Sequence, residues 1–316
     1  MKLKLTVSAL VLSMLFTGCA ATAPADNSPA SQSAFTFTDD LGRTVTLESP
    51  EKAAALLGSF AQVWMLAGGT VCAAPEEAWK DLNLELAEDT ANLGQIHQMN
   101  MELLMTTQPD FILASSNNKN QLEWKDTLEA TGIPMAYFDI ADFDDYLRLL
   151  KLCTDLTGHP ERYQQYGTAV QQEIDAVLAQ SKQRLEQEDP PVVLALTASA
   201  STVRAKKSEG NVLGEMLRSL GCINLADTQE ALLEDLSIEY ILQEDPDCIF
   251  IVQRGDNTQA VKDHVSQMMA EHPAWSQLTA VQNGHLYFMD KNLYNLKPNH
   301  RWGEAYRGLE ELLSHG

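Results

Sequence analysis

Basic residues are scarce: 22 Lys plus Arg stand against 44 Asp plus Glu in 316 residues, a formal charge of −22. A surface of that sign repels phosphate backbones and anionic headgroups, which makes nucleic acid and polyanionic lipid poor partners. Long apolar runs are missing too: the stretch from Leu5 to Phe16 has about twelve residues, against the roughly 20 that a membrane-spanning helix needs. No G-x-S-x-G, H-E-x-x-H, G-x-x-x-x-G-K-[ST] or G-x-G-x-x-G occurs. The nucleophile-elbow, zinc-hydrolase, P-loop and dinucleotide chemistries therefore lack their residues, and the chain reads as a non-enzyme with no resident cofactor. The seven His are scattered without ligand spacing, which argues against a dedicated metal site. There is no C-x-x-C pair either. Cys72, Cys153, Cys222 and Cys248 read as buried apolar residues, with one disulfide, Cys222 to Cys248, as the alternative.

The fifth cysteine has a different job. Lys2 and Lys4, the apolar stretch and then Leu15-Phe16-Thr17-Gly18-Cys19 form a secretory signal that ends on small residues before a Cys. This is similar to a bacterial lipobox, with Phe16 where Leu is commoner. Residues 1–18 then form a lipoprotein signal peptide, and Cys19 carries lipid and begins the mature chain. Residues 19–34 are small, polar and Pro-containing, a flexible tether with nothing to bury. The expected location is extracytoplasmic and anchored to a membrane through Cys19.

From Phe35 the pattern alternates. Phe35–Thr38 and Thr44–Leu47 flank Asp39-Asp40-Leu41-Gly42 as a hairpin. A strand at Ala53–Leu57, a helix at Ser59–Ala67, a strand at Phe111–Ala114, a helix at Gln121–Ala130 and a strand at Met135–Phe138 follow. Phe143 to about Gln187 is helical, with Tyr146, Leu149, Leu150 and Cys153 on one stripe and a break at Gly158-His159-Pro160. The alternation then resumes through Val192–Leu196, Asn211–Leu220, Cys248–Val252, Gln259–Ala270, His285–Met289 and the closing helix Trp302–Leu313. Both halves are α/β. An internal echo links them: Met101-Glu102-Leu103-Leu104 leads to Pro109-Asp110-Phe111, and Ile238-Glu239-Tyr240-Ile241 leads to Pro246-Asp247-Cys248, with the Pro seven residues after the Glu in each.

Several segments, in order, carry a family resemblance: Asp39-Asp40-Leu41-Gly42-Arg43, Asn92-Leu93-Gly94, Pro109-Asp110, Cys153 to Gly158, Met216 to Ala226, and Lys297 to Tyr306. From Phe35 to Leu313 the chain resembles the Fe/B12-type periplasmic binding proteins, the substrate-binding lipoproteins of ABC importers for iron siderophores, haem and cobalamin. The resemblance implies two Rossmann-like lobes, 35–140 and 159–316, joined by a single long linker helix in 141–158, with the ligand in the cleft between them. It implies capture of an iron–siderophore complex, haem or a corrinoid, and delivery to a permease dimer.

In open α/β layers, ligands lie at the carboxyl ends of strands. In the first lobe this selects Ser59 and Phe60, the loop containing His97, and Ser115, Ser116 and Asn117; the last three serve equally as a helix N-cap. Trp64, one turn after Phe60, is an aromatic wall or a core residue. In the second lobe the rule selects Arg204, Lys206 and Lys207, a basic cluster in an acidic chain that suits an anionic ligand or else is a solvated turn. The resemblance adds the cleft loop with Lys291, Asn292 and Tyr294, and makes His97 with Tyr294 the one conceivable axial pair for haem. It also gives Glu102 and Glu239 the role of docking carboxylates for the two permease subunits; their bland reading is two solvated carboxylates at helix N-termini.

Overall fold

The twelve strands are β1 (Phe35–Thr38), β2 (Thr44–Leu47), β3 (Ala53–Ala55), β4 (Val71–Ala74), β5 (Ala91–Asn92), β6 (Phe111–Ser115), β7 (Met135–Phe138), β8 (Val192–Ala198), β9 (Val203–Ala205), β10 (Ile223–Asn224), β11 (Cys248–Gln253) and β12 (Leu286–Met289). They come from a computed structural model that describes residues 34–234, 236–255 and 257–315. The signal peptide, Cys19 and all of the tether except Ala34 lie outside the described residues.

The hairpin β1–β2 is antiparallel and half-buried, as its alternation requires. Asp39 holds its turn: the carboxylate accepts from the Leu41 and Arg43 amides, from the Arg43 guanidinium and from the Tyr137 amide of β7. Burial alone would raise the Asp39 pKa, but the bonds from Arg43 and Tyr137 win and hold it below the ordinary value.

The remaining strands form two sheets. The first, in the order β5-β4-β3-β6-β7, is entirely parallel; the second runs β10-β8-β11-β12, with β9 added antiparallel to the far end of β8. Strands buried on both faces read as unbroken apolar runs, which is why Phe111–Ser115 and Cys248–Val252 show no polar alternation. Alternate residues still separate two cores. Phe111 and Leu113 of the first sheet, and Val193, Ala195 and Phe250 of the second, share one apolar core with Tyr146, Leu149, Leu150 and Cys153 of the linker helix. The opposite faces, with Ile112 and Ala114 on one sheet and Leu194 and Ile249 on the other, pack two separate cores. The linker helix spans Phe143–Thr157, opens with an Asp142/Asp145 capping box and stops at Gly158, φ 74°. A short helix at Pro160–Tyr163 and one π turn lead into the helix Ala169–Leu185. Because one core runs through both lobes, opening the cleft has to bend packed helices, which limits the motion.

The Pro-Asp echo is a structural device repeated in each lobe. Gln108 and Asp245, each just before the Pro, take left-handed φ of 50° and 42°. The Asp110 carboxylate then accepts from the Glu51 and Lys52 amides, and its own amide donates to the Lys52 carbonyl at the entry to β3. Asp247 repeats this on Val192 at the entry to β8. A side chain thus fixes the start of the neighbouring parallel strand in both halves. The expected single helix Gln121–Ala130 is instead two short ones, Lys119–Glu123 and Lys125–Glu129, meeting at Trp124.

Candidate functional site

The second lobe gathers cations at its strand ends. Thr197, next to last in β8, lies opposite Arg204 of β9 on one side and Val252 of β11 on the other. Two residues beyond Val252, the Arg254 amide bonds the Ala198 carbonyl. Lys206 follows β9, and its amide donates to the Ala195 carbonyl. The helix Val212–Ser219 starts alongside, capped by the Asn211 side chain on the Gly214 amide. Thr197, Lys206, Val252, Arg254 and the helix start from Asn211 to Leu213 line a cavity of about 270 Å³. A second hollow of about 390 Å³ adjoins it, lined by Arg204 and Lys207 and sharing Thr197, Lys206, Gly210, Asn211 and Arg254 with the first.

Arg204, Lys206 and Arg254 are exposed and form no ion pair among the described residues. Lys207 differs, with its ammonium 2.8 Å from Glu230. Thr197 is 7% exposed, and its hydroxyl oxygen is buried with no hydrogen-bond partner among the described residues. Lys297 also lines the cavity; burial pushes its pKa below the ordinary lysine value, against the pull of Asp139 of the first lobe 3.6 Å away.

The segment from Asp290 to Arg301 ties the two lobes together. Lys291 reaches Asp81 at 2.7 Å, Asn292 Nδ2 donates to the Asp81 carbonyl, and Asn299 Nδ2 donates to the Ser59 carbonyl and Gln62 Oε1. Lys291 and Asn292 Nδ2 therefore hold the lobes to each other through Asp81, while Asn292 Oδ1 is buried with no partner among the described residues.

The buried members of the other expected ligand contacts need correction, whereas Ser116, Asn117 and His97 reach the surface. Phe60 and Trp64, each 1% exposed, occupy the core: they lie four residues apart on the inner face of the helix Gly58–Leu66, with Trp64 Nε1 donating to the Thr70 carbonyl and its ring packed on Phe111. Neither walls a cleft. Ser59 is buried beneath Asn299. Ser115 is buried, and Asn118, not Ser115 to Asn117, caps the helix that follows. Ser116 is half-buried and Asn117 exposed, with Asn117 Nδ2 on Asp139. His97 is exposed on the short turn Ile96–Gln98, and its carbonyl accepts from Asn120. Tyr294 is buried with its hydroxyl donating to the Ala305 carbonyl, and burial drives its pKa far above the ordinary range. A phenol so committed makes a poor tyrosinate ligand, and the haem axial pair His97–Tyr294 loses its footing. Among the described residues no group of three or more His, Cys, Asp or Glu is placed to hold a metal ion.

Thr197, Arg254 and Lys297 were not selected from sequence. Arg254 follows β11 as the basic cluster follows β8, so the strand-end rule applied to Cys248–Gln253 finds it; a lone Thr inside Val192–Ala198 carries no signal. Glu102 and Glu239 are exposed second residues of the helices Met101–Thr106 and Ile238–Glu244, capped by Asn100 and Ser237. The four described cysteines are free. Burial lifts the Cys222 thiol to about 12 and Cys248 to about 11. With β8 between β10 and β11, Cys222 and Cys248 lie near strands two spacings apart, roughly 9–10 Å, beyond the approximately 7 Å a disulfide spans.

Known proteins are similar to this chain in sequence and fold. The putative ABC transporter substrate-binding lipoprotein YhfQ of Bacillus subtilis is 22% identical over 311 residues, covering 94% of this chain and 93% of its own. The Fe(3+)-citrate-binding protein YfmC of the same organism is 22% identical over 304 residues, covering 93% and 91%. Among solved structures, Staphylococcus aureus SirA complexed with staphyloferrin B superposes with a TM-score of 0.68 at 22% identity, covering 89% of this chain and 98% of that one. The periplasmic binding protein family profile matches residues 54–293, and the chain belongs to that family.

Proposed function

We propose that this chain is the substrate-binding lipoprotein of an ABC importer, which captures an iron–siderophore complex outside the cytoplasm and hands it to a permease. The observation that carries the cargo reading is local charge inversion: a chain of net charge −22 places Arg204, Lys206 and Arg254 at the strand ends of one lobe with no ion pair among the described residues. Like charge is costly to gather without an anion to receive, and ferric siderophores of the carboxylate and catecholate kinds are anions. The name of YfmC, an Fe(3+)-citrate-binding protein, favours an anionic iron chelate, and that of YhfQ favours a substrate-binding lipoprotein of an ABC transporter. Such a protein binds and delivers without catalysis.

The lipid on Cys19 holds the body near its membrane, and Glu102 and Glu239 meet the two permease subunits. Paired charges of this kind set orientation and encounter rate more than affinity. A ligand that binds only the folded state raises its melting temperature by mass action. Ferric siderophores tested in a thermal shift assay are expected to include one that raises Tm. If anionic, neutral and haem-bound iron all leave Tm unchanged, the iron reading fails. For the anchor, Cys19→Ala is expected to move the protein into the soluble fraction, and unchanged membrane retention would refute lipidation.

A further inference from the structure

We propose that the segment from Asp290 to Trp302 is a two-position latch between the lobes. Its cross-lobe bonds favour the arrangement seen, while polar groups that it buries without partners favour one in which the lobes part and water reaches them. The latch goes beyond the importer reading, since it works with the cleft empty and does not depend on the cargo.

Four of its side chains bond across from one lobe to the other: Lys291 to Asp81 at 2.7 Å, Asn292 to the Asp81 carbonyl, Lys297 to Asp139 at 3.6 Å, and Asn299 to Ser59 and Gln62. Against these ties stands a concentration of unmet polar atoms. Five buried side-chain N or O atoms lack a hydrogen-bond partner among the described residues, and four of them, Asn292 Oδ1, Asn299 Oδ1, His300 Nδ1 and Trp302 Nε1, belong to this one segment. Buried polar groups normally find partners, so their gathering here is a local cost of the closed form. The two asparagines cannot escape it by turning their amides over. Each faces a backbone carbonyl, of Asp81 or of Ser59, which accepts only from the NH₂ side, so the oxygen has to be the end left over. Asn299 adds backbone strain, with φ 53° at a fully buried position.

The segment also ends on the parts that a lobe motion has to bend. The His300 ring meets Tyr166 of the π turn edge-on, 6.1 Å between centroids, and the Tyr166 carbonyl accepts from the Tyr146 hydroxyl of the linker helix. Trp302, fully buried, packs edge-on against Phe143 in the first turn of that helix. Turns of π type are rare inside helices and recur at functional sites. Residues 290–302 thus couple the lobe boundary to both helical connections. A close-packed apolar core resists a change of arrangement, whereas a polar seam with bonds to lose and hydration to gain has two positions of similar free energy.

The test measures the distance between the lobes in the ligand-free mature protein by pulsed electron paramagnetic resonance. Spin labels are carried on ketone-bearing residues placed at Lys119 and Gln259, both exposed and one on each lobe. Wild type is expected to show a shorter and a longer distance. Lys291→Met, which cuts a tie, should raise the ratio of long to short about 10-fold. Asn292→Ala, which removes a tie and an unmet oxygen together, should raise it less. His300→Phe keeps a ring against Tyr166 and removes the unmet nitrogen, so it should lower the ratio about 5-fold. Urea midpoints separate a latch from a plain fold contact, because a contact that serves only the fold moves the midpoint and leaves the distances alone. That result, a single distance shared by wild type and all variants, or a longer distance favoured by His300→Phe overturns the latch. So does ordered water bonded to Asn292 Oδ1, Asn299 Oδ1 and His300 Nδ1 in a crystal structure of the closed protein, which would lift the opposing cost. With no ligand in the experiment, failure of the latch leaves the importer reading standing, and a latch that behaves as expected in a protein that binds no iron complex refutes the importer reading alone.

Discussion

Replacing Gly214 with Ala tests whether close approach of helix and loop builds the pocket. The added methyl would lie 2.5 Å from the Ser208 carbonyl oxygen and 2.6 Å from that of Lys207, where ordinary contact begins near 3.4 Å. Both obstacles are backbone, so the helix head and the loop must part by nearly an ångström. Asn211 is tied to the same loop, with Nδ2 donating to the Lys207 carbonyl at 2.7 Å, so the cap is disturbed as well. A forced backbone shift costs about 1–3 kcal/mol, and better helix propensity returns up to about 1 kcal/mol. A net loss of roughly 1–2 kcal/mol is expected in urea unfolding, as a lower midpoint with an unchanged slope. Ferric citrate affinity should fall in the same variant although every cation remains. Wild-type stability together with wild-type affinity would refute the close approach.

Asp110→Ala and Asp247→Ala should each destabilise by about 1–3 kcal/mol, the first more than the second because Asp110 accepts from two strand-entry amides and Asp247 from one; urea midpoints close to wild type in both would dismiss the repeated device. Asp39, with its folded pKa held below the ordinary 3.8, contributes stability that is complete above that value and is lost as pH falls through the folded one. Asp39→Asn should therefore be less stable than wild type at pH 7, and the gap should close in acid; a gap independent of pH would contradict the assignment. Glu102→Ala and Glu239→Ala should each leave ligand binding intact and cut cellular uptake, with the double variant little worse than the poorer single one, because the second contact is intramolecular. Normal uptake by the double variant would make both ordinary surface charges.

Much of the architecture was readable because its signals are local. The hairpin turn, the capped linker stripe from Tyr146 to Cys153, the long apolar strands and the Pro-Asp echo each sit within a dozen residues. The strands β4, β5, β9 and β10 went unread, since two to four residues in a sheet edge or beside a loop carry too little periodicity. The site was readable only in part. The cluster Arg204, Lys206 and Lys207 stood out against an acidic background, whereas the unpartnered Thr197 hydroxyl depends on what surrounds it in space. Phe60 and Trp64 show the same limit from the other side. An apolar helix such as Gly58–Leu66 does not disclose which of its faces meets the sheet, and the sheet took both aromatic side chains. The contact between Lys291 and Asp81 joins residues 210 positions apart, so no short-range pattern announces that the loop closes the lobes.

Mass spectrometry and absorbance of the protein purified from its native membrane, under conditions that keep bound ligand, test the central claim most directly. The account predicts one iron per chain, carried with a polyanionic chelator and without a haem Soret band, and lost when Arg254→Met is purified in the same way. A haem or corrinoid spectrum, or a neutral iron complex retained by Arg254→Met, would contradict it.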